Sequence, residues 1–136
     1  MRTVHIFNIN PHLKNLLKDD YYPLYHSLSK IKDLKKDELS IGINIYEQVA
    51  MPFNKDKLSN ALLKYYGECD FYSKFQNKHS YINKYRNEES YLRVGNAYIK
   101  LESNVSNPDF FKYLKSKHNL FVCDFENADY FLTDEL

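Results

Sequence analysis

Glycine is scarce in this chain, and three residues in 136 cannot build the Gly-rich loop that cradles a phosphate at a helix start. Arginine is as rare. Only Arg2, Arg86 and Arg93 carry the guanidinium fork that reads phosphate in two-point fashion, and the rest of the 19 basic residues are lysines. With a formal net charge of +1, no global field draws nucleic acid or an anionic membrane. The two cysteines, Cys69 and Cys123, are too few for a secreted disulfide scaffold. They also lack the local pairing of zinc ligands, so they read as reduced thiols. No apolar run is long enough to span a bilayer, and no charged-then-apolar signal segment opens the sequence. The expectation is a cytoplasmic protein with no membrane contact.

What is abundant is aromatic. Thirteen tyrosines and nine phenylalanines supply large contact area for a core or an interface, and the sequence does not divide them between the two. Length and a 43% hydrophobic content suit one domain, residues 1–136, with a single core.

Along the chain, Val4 to Ile9 reads as a strand. Asn10 then offers a helix N-cap and Pro11 the first helical position, with Leu13, Leu16, Leu17, Tyr21, Leu24 and Leu28 at near-helical spacing. Pro23 lacks an amide hydrogen, which predicts two helices, Pro11 to Asp20 and Pro23 to Lys32. The stretch ELSIGINIYEQVAMPF is ambiguous. Ile41, Ile43 and Ile45 alternate as in a strand, whereas Leu39, Ile43, Tyr46, Val49 and Ala50 form a helical stripe; length favours a helix ended by Pro52. Asn54 caps a further helix whose face is Leu58, Ala61, Leu62 and Tyr65, stopped by Gly67. Residues 68 to 90 resist assignment. YLRV and AYIKL flank Gly95–Asn96, a hairpin with Leu92 and Val94 on one face. Ser106 and Asp109 form a capping box, and Val105 a staple to Phe110, for a helix burying Phe110, Phe111 and Leu114 and closing at His118–Asn119. LFVCDF is then a strand. The sum is a single-domain α+β fold with a small, largely antiparallel sheet packed with several helices.

Cys123 beside Asp124, with His118 nearby, invites a nucleophile and its base. In a strand, however, Cys123 shares a face with Phe121 and Phe125. Apolar neighbours make a thiol inert, and neither a nucleophile elbow nor an oxyanion glycine is present. His5, His12, His26, His79 and His118 are scattered without metal-ligand spacing. The expectation is therefore no enzyme, no metal and no cofactor. Residues 70–86 interleave Lys74, Lys78, Lys84 and Arg86 with Tyr72, Phe75, Tyr81 and Tyr85. Such a pattern can serve single-stranded nucleic acid or be a half-buried aromatic layer with a solvated lysine face. The second reading is favoured, so nucleic acid is not expected as a direct partner. Asp124, Glu126, Asp129, Asp134 and Glu135 give the end of the chain an acidic pole that could guide a partner.

The order of elements carries a resemblance. FNINPHLKNLLKDDYYPLYHSL after a short aromatic strand, then INIYEQVAMPF, a hairpin, and NPDFFKYLKSKHNLFVCDFENADYFL together resemble the SirA family, sporulation inhibitors of replication in low-GC Gram-positive bacteria. The resemblance covers nearly the whole chain and rests on patterns, most clearly at the C-terminal end. It implies a non-enzymatic inhibitor that binds the N-terminal domain of the initiator DnaA and blocks its productive assembly at the origin. The family's contact surface comes from the first helix and the helix carrying an Ile-x-x-x-Gln pattern. The matching positions here are Leu13 and Leu17, with Ile45 and Gln48. Leucines stand at the first two where the family has aromatics, and their alternative role is core packing. The competing expectations are a single-stranded nucleic-acid-binding module using residues 70–86, and a phage-type inhibitor of another host protein.

Overall fold

A computed structural model describes residues 1–32, 50–117 and 120–135. These residues form an α+β fold around one antiparallel sheet. Its strands are β1 (Arg2–Ile9), β2 (Ala50–Met51), β3 (Tyr72–Phe75), β4 (Lys78–Asn83), β5 (Glu88–Val94), β6 (Ile99–Ser103), β7 (Leu120–Asp124) and β8 (Asp129–Leu132). The order across the sheet is β3-β4-β5-β6-β1-β7-β8, and β2 pairs with the end of β1. Four helices are described: α1 (Pro11–Leu16), α2 (Tyr22–Lys32), α3 (Lys55–Tyr66) and α4 (Phe110–Lys115).

Strand alternation decides which side each helix covers. Val4 and Ile6 of β1, with Leu92, Ile99, Leu101 and Val122, join Leu62 and Tyr66 of α3 and Phe110 and Leu114 of α4 in the larger core. Phe7 and Ile9, with Phe121 and Cys123, face the opposite way and meet Leu24, Tyr25 and Leu28 of α2. Because both faces of β7 are covered, all five of its residues are buried. β5 alternates buried with more exposed positions along its whole length. Its outer face therefore has no cover among the described residues.

The helix at Asn10 forms as expected, the Asn10 side chain accepting from the His12 amide at 3.0 Å. It stops at Leu16 rather than Asp20. The Asp20 carboxylate instead accepts from the Tyr22 amide and opens α2 one residue before Pro23. The stripe expected to run helically to Pro52 ends in a strand. Ala50 and Met51 pair with Ile9 and Asn8, because the end of β1 offers backbone partners that a helix would leave unused; residues 39 to 49 of that stripe lie outside the described residues. Asn54 caps α3 through the Lys57 amide. Its buried face is Ser59, Leu62 and Tyr66, and Tyr65, expected on that face, is 55% exposed.

The hairpin around Gly95–Asn96 has a longer loop than a two-residue turn, spanning Gly95 to Tyr98, with the Gly95 amide donating to the Tyr98 carbonyl at 3.1 Å. Glycine is required there by close approach, since a Cβ at position 95 would stand 2.9 Å from that carbonyl oxygen. The Ser106 capping box does not form. Helix α4 begins after Asp109, which makes no side-chain cap. The carboxylate at this helix start comes from the sheet instead: Glu88 Oε2 accepts from the Asp109 amide at 3.0 Å.

Candidate functional site

Helix α1 has six residues and buries none of them. Leu13 and Leu17 are half-buried, leaning on the edge of the smaller core, and Leu16 between them is 68% exposed. The helix is held down by an ion pair from Lys14 Nζ to Asp134 Oδ2 at 2.6 Å. On the next helix, Tyr22 is 50% exposed and stacks on His26 at 5.7 Å between ring centroids. The structure thus places Leu13 on α1 and Leu17 at its C-cap, with an apolar neighbour, Leu16, in solvent. Ile45, Gln48 and His118 lie outside the described residues. Leu16 was read from its spacing as one more residue of the apolar face. Its exposure could not be read from the sequence, because α1 is too short to present a full amphipathic stripe.

The Cys123–Asp124 pair splits to opposite faces. Cys123 is fully buried among Phe7, Phe121 and Leu132, and burial pushes its thiol well above the usual cysteine range. The native protein should therefore resist a thiol reagent at Cys123 until it unfolds. Fast labelling in the folded state would contradict this, as would an activity lost in a folded Cys123→Ser variant. Asp124 is equally buried, but as an anchor. Its carboxylate accepts from Arg2 Nε at 2.8 Å, from the Asn127 side chain at 2.8 Å and from the Asn127 amide at 3.1 Å. Arg2 reaches Asp129 as well, at 3.1 Å. The expected acidic pole is accordingly part-neutralised from within: Asp124 and Asp129 meet Arg2, and Asp134 meets Lys14.

The basic-aromatic stretch 70–86 divides along the strands. Tyr81 is buried against Tyr66 and Phe110, and Tyr72 stacks on Tyr66 at 5.1 Å. Phe75 and Tyr85 are exposed, and Lys78 sits over the Tyr91 ring at 4.5 Å. Half of the aromatic layer is thus core and half is surface.

Sequence reading missed the most ordered polar cluster. His79, fully buried, meets Ser59 Oγ through Nε2 at 2.9 Å and Tyr72 Oη through Nδ1 at 2.6 Å. A serine touching a histidine suggests nucleophilic chemistry. Here, however, Ser59 is buried within α3, where neighbouring amides are engaged in the helix and offer no oxyanion donors. Burial, assisted by Lys74 directly across the ladder, lowers the imidazole pKa to about 4. The cluster is better explained as two satisfied ring nitrogens holding α3 to the sheet.

Among the described residues no group of three or more His, Cys, Asp or Glu is placed to hold a metal, and no helix is long and apolar enough to cross a membrane. No protein-family model matches the chain, and no curated protein matches it.

Proposed function

We propose that the chain is a non-enzymatic inhibitor of replication initiation that acts in the cytoplasm. It binds the N-terminal domain of DnaA, as its resemblance to the SirA family implies. The observation that carries the reading is α1: a helix pinned by a salt bridge, burying no residue, with Leu16 in solvent and Leu13 and Leu17 half-open beside it. Such a helix adds little apolar burial to the fold, yet it displays preset apolar anchors. The mechanism requires no bond-making. Occupying a surface that the initiator uses for assembly lowers the population able to assemble, and a small interface with a few anchors suffices.

Calorimetry against the purified DnaA domain, with thermal melting measured alongside, tests this. Leu16→Ala and Gln48→Ala should each weaken binding by ~1–3 kcal/mol, the cost of losing a true anchor; Leu16→Ala should leave the melting temperature nearly unchanged, as expected for an exposed site. Leu17→Ala should weaken binding beyond any loss of stability. A loss of stability alone would assign Leu17 to the core. Absence of any interaction at high micromolar concentration would sink the proposal, and tight, salt-dependent binding of single-stranded DNA would favour residues 70–86 instead.

A further inference from the structure

On the side of the sheet covered by α3 and α4, a cleft of about 270 Å³ opens between the two helices. Its floor is apolar. Ile99 and Leu114 are fully buried beneath it, whereas Leu58 and Ala61 on its α3 wall stay partly open to solvent. The charged residues on the lining are Lys57 and Lys117, and no carboxylate is among them. Lys117 rests against the Tyr113 ring, its Nζ 5.1 Å from the centroid. Neither lysine is ion-paired with a carboxylate among the described residues. An apolar hollow with uncompensated cations at its lip is complementary to a molecule with a greasy body and an anionic head.

We propose that this cleft binds a small amphipathic carboxylate, an aliphatic or aryl-substituted acid. Its tail lies on Leu58, Ala61, Ile99 and Leu114, and its head faces Lys57 and Lys117. The volume falls just short of the ~300 Å³ at which sites for drug-sized ligands begin, which disfavours nucleotides and coenzymes. The cleft lies on the larger-core side of the sheet, whereas Leu13 and Leu17 lean on the smaller core of the opposite side.

Methyl NMR titrations of the full chain with octanoate and with phenylbutyrate, each beside its uncharged amide, test the assignment. The acids should shift the Ile99 and Leu114 methyl signals saturably, and the amides should bind about tenfold more weakly, as loss of a charge-assisted contact implies. The exposed double change Lys57→Glu with Lys117→Glu should weaken the acids by at least as much. Ala61→Phe, which fills the hollow, should abolish the shifts. Equal binding of acid and amide would overturn the proposal, and so would saturable binding that survives Ala61→Phe or no saturable shift at all. Should Ala61→Phe unfold the chain, the lysine variants and the amides still decide the matter.

Discussion

Lowering the pH from neutrality towards 4 should cost this protein ~3 kcal/mol of stability through His79 alone, as the gap between an ordinary histidine near 6.5 and a folded value of about 4 implies. The sign follows from proton counts. Below about 6.5 the unfolded chain takes up a proton on His79, while the folded protein, which would have to charge a desolvated ring facing Lys74, does not. The contribution is therefore fully present above about 6.5 and is lost as the pH falls through that window to about 4, below which the folded form protonates too. Melting curves taken across the window should drop by ~10 °C in the wild type, from the usual conversion for a chain of this size. In His79→Gln the slope over the same range should largely vanish, even though the variant starts lower because Ser59 or Tyr72 loses a partner. If the two melting profiles run parallel, His79 is not the titrating group.

Replacing Asp124 by alanine should cost ~3 kcal/mol or more, in the range for breaking a buried charge pair. The carboxylate holds three donors at once and is 1% exposed. Through Arg2 it ties the start of β1 to the β7–β8 turn. Arg2, at 27% side-chain exposure, keeps Asp129, so the stranded cation is only partly desolvated and the loss should sit at the lower end of that range. Asp124→Asn keeps the shape and part of the hydrogen bonding and should cost less. Burial acts to raise the Asp124 carboxyl, but the hydrogen bonds from Asn127 and Arg2 outweigh it and leave it below the usual carboxylate range. Its stabilisation is accordingly present above the unfolded carboxylate value and disappears as acid protonates it in the fold. An Asp124→Ala variant that melts close to wild type would show that the ion pair merely fills space.

How much of this was legible depended on where apolar periodicity survived. β1, β7 and the strands flanking Gly95 were visible because Val4, Ile6, Leu92, Val94 and Ile99 mark one face in plain alternation. β3 and β4 were not, because the core-facing positions along β4 and into β5 are His79, Tyr81, Asn83, Glu88 and Ser90, which read as surface until their partners are known. Ser90 bonds both Glu88 and Ser103 at 2.8 Å, and Glu88 serves a helix start 21 residues away. That long-range contact also explains why the local capping box at Ser106 lost. The Leu13 and Leu17 pair was legible as one face, but its half-burial depended on the position of α2 and on Asp134, neither of which is local in sequence.

The position of β1 has a consequence for how the chain acquires its structure. The first strand in sequence lies inside the sheet, with Arg2 opposite Ser103 and His5 opposite Cys123. During synthesis it is made long before its main partners, β6 and β7, and until they emerge only the two-residue β2 is there to pair with the end that carries Phe7 and Ile9. High contact order of this kind slows folding, and an apolar strand left waiting is open to wrong pairing with other chains. Refolding yield, more than equilibrium stability, should therefore depend on concentration.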